Sequence, residues 1–133
     1  MRRPDWQRQL ITTLEAARVR PFVWGELDCC LFVADCCVAT CGVDPAAVYR
    51  GRYTTAIGSQ RVLTKEHGSI AAVLDAHFQK IDPALAQRGD PVVFDGPLGQ
   101  TAGLMWAGQV WAMTEQGARP VPDAVPLFAW RAE

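Results

Sequence analysis

Five cysteines crowd between positions 29 and 41, the densest run of reactive side chains in the sequence. The first follows Trp24-Gly25-Glu26-Leu27-Asp28, a glycine-containing loop that delivers the Cys29 thiol onto the first turn of an expected helix. Free amides at a helix N-terminus stabilise an anion, so a thiol there can ionise and act as a nucleophile. Glu26 and Asp28 work against this, because nearby negative charge disfavours a second anion. The competing role for Cys29 is a small hydrophobe packed in a core. An odd number of cysteines, four of them in adjacent pairs, makes a poor disulfide ladder. A metal or iron–sulfur site needs thiolates converging on one point, whereas one straight helix splays these over at least two faces. No metal and no cofactor is therefore expected, apart from a site completed by another subunit.

A second group of candidates is basic and aromatic. Arg50-Gly51-Arg52-Tyr53, with Arg61 and Lys65, forms a modest positive patch that reads either as a solvated rim or as a docking edge for an acidic surface. Arg50, Arg52, Tyr53 and Trp24 are its candidate binding residues. Five tryptophans serve equally as core or as interface anchors. The two histidines, His67 and His77, read as capping or packing residues, one at a helix end and the other on an inward helix face.

Positioning these groups requires a frame. Asp5 to Arg18 reads as a helix, with Trp6, Leu10, Ile11, Leu14 and Ala17 on one stripe. Asp28 to Cys41 reads as a second helix, capped by Asp28 and stopped by Gly42. It is apolar nearly all round, the signature of a buried central helix. A turn from Asp44 to Val48, a helix from Thr55 to Glu66 with Ile57 inward, and a helix from Ser69 to Gln79 with His77 inward complete this half. From Asp90 the pattern changes to short β-prone runs: Pro91 to Phe94, Ala102 to Trp106, Gln109 to Met113, then Ala118 to Pro122 and Leu127 to Trp130. Helices followed by antiparallel strands predict one α+β domain over 1–133, with an N-terminal helix in 1–20, a helical part in 21–90 and a strand-rich part in 91–133.

Composition narrows the function classes. Thirteen basic against fourteen acidic side chains leave a net charge of −1, which disfavours a nucleic-acid partner. Half the 133 residues are apolar, enough for a core, yet no stretch is long enough for a membrane span. The N-terminus shows no apolar segment behind its arginines, so the expected site of synthesis is the bacterial cytoplasm.

Trp24-Gly25, then Asp28-Cys29 opening a central helix, then Gly89-Asp90 leading into Val92-Val93-Phe94, resembles the NlpC-type cysteine peptidases of papain-like fold. With Cys30-Leu31-Phe32, Gly42-Val43-Asp44-Pro45, Arg50-Gly51-Arg52-Tyr53 and Arg88, the chain is similar, over residues 20–131, to a phage and prophage offshoot found among tail-assembly genes. The resemblance implies Cys29 as the nucleophile position and a histidine general base opening the next strand. Thr101 stands in that place, and a threonine hydroxyl is no base near neutral pH. The resemblance thus implies a tail-tip or baseplate component docking on hub proteins within a virion, its hydrolytic chemistry lost. The alternative is an active cysteine hydrolase cutting peptidoglycan stem peptides, with its base drawn from elsewhere.

Overall fold

The computed structural model describes all 133 residues. Helix α1 spans Trp6–Arg18 and buries Leu10, Leu14 and Ala17, one residue per turn. Asp5 occupies its N-cap position without bonding a backbone amide; the carboxylate accepts instead from Gln9 Nε2. Helix α2, Cys29–Cys41, is capped by the Asp28 side chain on the Leu31 N–H and ends at Gly42 in the left-handed region (φ 78°). Eight of its thirteen residues are buried, as an all-round apolar helix requires. Each fully enclosed large side chain, such as Leu31 or Phe32, contributes about 2 kcal/mol by leaving water. Helices α3 (Ala56–Glu66) and α4 (Ile70–Asp75) begin at Thr55 and Ser69, whose hydroxyls accept from the amides three residues on.

The strands are β1 (Gln79–Ile81), β2 (Pro91–Gly96), β3 (Gly99–Trp106), β4 (Gln109–Thr114), β5 (Gly117–Val121) and β6 (Pro126–Arg131). They form one antiparallel sheet in the order β1-β6-β2-β3-β4-β5. Strand alternation divides it into two faces. Val93, Ala102, Leu104, Met113 and Trp130 pack with Leu10, Phe32, Val33, Cys36, Cys37 and Leu74 from the helices. Val92, Phe94, Val110, Ala112 and Ala129 make a separate cluster on the other face. Ile81 and Val121, from the two edge strands, extend that second cluster by packing beside their register partners Ala129 and Val110.

The α+β reading and the buried central helix hold. The sheet, however, also draws β1 from the helical half. The helix expected to run through Gln79 stops at Asp75, because Gln79 to Ile81 pair with Arg131 to Ala129 and a helix cannot serve that ladder. His77, expected inward, is consequently exposed beyond the helix end. Ile57 is also exposed: it sits on the first turn of α3, ahead of Val62 and Leu63, which are the residues that pack inward.

Candidate functional site

The N-terminus of α2 is organised by one buried carboxylate. Asp28 Oδ1 accepts from the Leu31 N–H at 3.0 Å, while Oδ2 accepts from the Gly25 N–H at 3.1 Å and from the Tyr53 hydroxyl at 2.6 Å. These three donors fix the loop from Trp24 to Asp28 against the helix end. Gly25 is obligatory here, since it lies at φ 82° and a Cβ would sit 1.9 Å from the Tyr53 carbonyl oxygen. The acceptor role of Asp28 and the loss of water both push the Tyr53 hydroxyl pKa upward, desolvation being the larger cause.

Cys29 occupies the first helical position and is half-buried. Its thiol is lowered from the ordinary thiol range, foremost by a hydrogen bond from the Cys30 thiol, with backbone N–H groups of Cys30 and Ala102 adding to it. Burial and the Asp28 charge act in the opposite direction. Cys30 is the donor of the pair, and its own pKa is raised well above the ordinary value by that bond and by burial. Neither the Cys29 nor the Cys30 N–H reaches a backbone carbonyl, as expected in the first turn.

Strand β3 passes directly opposite. Thr101, however, does not face the thiol. It pairs with Phe94, and its hydroxyl packs on Gly96 and donates to the Gly99 carbonyl at 3.0 Å. Ala102 and Leu104 point toward α2, while a Cβ at Gly103 would meet Phe94 and Val110 on the other face. Thr101 therefore shares the Phe94 face, and the position on β3 aimed at the helix end is Ala102, with only a methyl group.

Beside Cys30 lies an apolar cleft of about 40 Å³, walled by Cys30, Tyr49, Tyr53, Ala102 and residues of α3 and α4 such as Leu63 and Val73; Cys29 is not part of its wall. The Tyr49 hydroxyl bonds His67 Nδ1 at 2.5 Å, and the two rings stack. Burial, Glu66 and Cys30 push the Tyr49 pKa up to about 12. His77 Nδ1 bonds the Val73 carbonyl. Neither imidazole lines the cleft.

The remaining candidates have local duties. Arg50 pairs with Asp35 at 2.8 Å and with Asp44 at 2.9 Å, and Arg52 pairs with Glu66 at 3.0 Å, so the expected positive patch is largely neutralised from within. Tyr53 is buried against Asp28, and Trp24 packs edge-on against Phe22. Cys36 and Cys37 are enclosed in the main core, and Cys41 donates to the Cys37 carbonyl. No group of three or more potential metal ligands converges anywhere in the fold.

A family model described as a domain of unknown function, DUF6950, matches residues 1–132. The chain belongs to the DUF6950 family. No curated protein matches it. In this DUF6950 domain the residues missed from the sequence are Cys30, Ala102 and Tyr49. Adjacency to Cys29 was a signal for Cys30; the other two come together only through strand phase and chain reversal.

Proposed function

We propose that this DUF6950 domain is a degenerate NlpC-type, papain-like module that serves as a structural component of a phage or prophage tail tip, docking on hub proteins rather than hydrolysing a substrate. The observation that carries this reading is the wall opposite Cys29. It offers the Ala102 methyl group and backbone where a cysteine hydrolase needs an imidazole, and Thr101 turns its hydroxyl to Gly99 on the other face. Without a base, the paired acceleration of a thiol hydrolase is lost, on the order of several kcal/mol of barrier. The order of Trp24-Gly25, Asp28-Cys29 and Gly89-Asp90 supports the family link. Since Arg50 and Arg52 are satisfied internally, docking falls to exposed apolar side chains such as Ile57 and Leu98.

The test is co-expression with the tail-tip proteins of the same phage or prophage. Co-purification that survives Cys29→Ala and is lost in Ile57→Asp/Leu98→Asp supports the reading, and a monomer with no affinity for any of them overturns it. One feature favours the rival peptidoglycan hydrolase, namely the place of Cys29 on the first turn of α2, where the Cys30 thiol and backbone N–H groups pull its pKa down. Cleavage of purified peptidoglycan that disappears in Cys29→Ala would establish that rival.

A further inference from the structure

Two spaces adjoin α3 and α4, and their linings differ in kind. The inner one is the apolar cleft of about 40 Å³, bounded at its buried side by Val33, Ala34 and Ala102. Tyr49 and Tyr53 also border it, but their hydroxyls are already held by His67 and Asp28. A polar guest would therefore exchange water for unmet hydrogen bonds, whereas an apolar one gains by leaving water. The volume admits the end of one short aliphatic side chain and no aromatic ring. The outer space is a surface recess of about 200 Å³, lined by Gln60 of α3, by Gly68 and Ser69 ahead of α4, and by Leu98 and Gln100 of the β2–β3 hairpin. Leu63 and Ile70, both half-buried, wall the two spaces in common. No carboxylate, guanidinium, ammonium or imidazole lines either one. Gln60 and Gln100 bring exposed side-chain amides to the recess from a helix and a strand, each able to donate and to accept. The Ser69 hydroxyl accepts from the Ala72 N–H and keeps its own proton to give.

We propose that cleft and recess together form a peptide-binding site: an uncharged segment of a partner protein seats one side chain of valine or leucine size in the cleft, while Gln60, Ser69 and Gln100 hold its backbone in the recess. A peptide unit matches that recess because it carries a donor and an acceptor and no charge. A small molecule bearing a carboxylate, phosphate or ammonium group would meet no counter-charge in either space. The exposed Leu98 forms the lip and offers the segment a second apolar contact. The docking reading leaves this site unassigned, and the site stands whether or not the partner belongs to a tail. Binding here is non-covalent and asks nothing of the thiols.

The experiment is an NMR titration of the purified full chain, labelled at its Ile, Leu and Val methyl groups, with the blocked tripeptides acetyl-Gly-X-Gly-amide, X being Ala, Val, Leu, Trp or Asp. Saturable shifts at Leu63, Ile70 and Val73, with affinity rising from Ala to Val to Leu by up to about fourfold per added carbon and no saturation by the Trp or Asp peptide, support the proposal. Gln60→Ala/Gln100→Ala, which alters only exposed side chains, should weaken the Leu peptide severalfold and keep the order of the series. Val73→Phe, which narrows the cleft from its half-buried rim, should erase the preference for Leu over Ala, while unchanged methyl shifts at Val110 and Val121 show that the fold persists. 3-Methylbutanamide, which carries the same branched chain without the peptide frame, should bind more weakly than the Leu peptide. No saturable shift with any peptide, equal affinity for Ala and Leu, saturation by the Trp or Asp peptide, or 3-methylbutanamide binding as tightly as the Leu peptide would each overturn it.

Discussion

Two aspartates are fully buried in this molecule, and they are satisfied in opposite ways. Asp28 is surrounded by neutral donors: two backbone N–H groups and the Tyr53 hydroxyl. Asp90 sits in a knot of cations. Its Oδ1 accepts from Arg2 Nη2 at 2.8 Å and from the Ala132 N–H at 3.2 Å. Its Oδ2 accepts from the Gln87 N–H at 2.9 Å and lies 3.3 Å from Arg131 Nε. Arg2 also bonds the carbonyls of Arg88 and Ala132 and lies over the Trp6 ring. The Asp90 charge is thus neutralised where it ties the start of the chain, the entry to β2 and the end of β6 together. The Asp28 charge stays uncompensated beside a thiol. One carboxylate ties the chain ends together; the other pins the loop that leads into α2 next to Cys29.

If that division is right, breaking the Asp90 knot has the larger cost. Asp90→Asn keeps the size but leaves Arg2 and Arg131 facing a neutral group in a largely buried place, and should cost about 3–5 kcal/mol in chemical denaturation. A loss below about 1 kcal/mol would mean that both arginines escape to water and that the knot is no keystone. Asp28→Ala comes next, at about 2 kcal/mol, since it removes a helix cap and strands the Gly25 N–H and Tyr53 hydroxyl. Tyr53→Phe should cost about 1 kcal/mol, because Asp28 retains its two backbone donors. If Tyr53→Phe proved as costly as Asp28→Ala, the phenol and not the cap would organise the loop.

The two aspartates were not equally legible. Asp28 as a cap followed from its place before an apolar run and needed only local spacing. Asp90 announced itself as part of a Gly-Asp pair leading into a strand, but its partners, Arg2 and Arg131, lie at the far ends of the chain. No local rule brings them together. The phase of β3 was unreadable for another reason. Ala102-Gly103-Leu104-Met105 is apolar throughout, so alternation gave no indication of which residues face the helices, and a one-residue change of phase exchanges Thr101 for Ala102. Likewise Ile70, Val73, Leu74 and Phe78 fit a helix through Gln79, and only the β1–β6 pairing ends it at Asp75.

The smallest expected effect isolates charge from shape at the thiol. The Asp28 carboxylate raises the Cys29 pKa, opposing the Cys30 hydrogen bond and the backbone amides that lower it. Asp28→Asn keeps an oxygen to cap α2 and removes the charge, so the Cys29 pKa should fall further, by about one unit or less for a single charge at short range. Below that pKa the thiolate fraction rises, and iodoacetamide should label Cys29 faster in the variant than in the wild type. Well above it, where both are ionised, the advantage should vanish and even reverse slightly, because a less basic thiolate is a weaker nucleophile. The pH profile of labelling, mapped to Cys29 by mass spectrometry, reads both limbs. A midpoint that moved upward would mean that Asp28 supports the thiolate through the geometry of the loop it pins rather than opposing it through charge, and the contrast with Asp90 would have to be redrawn.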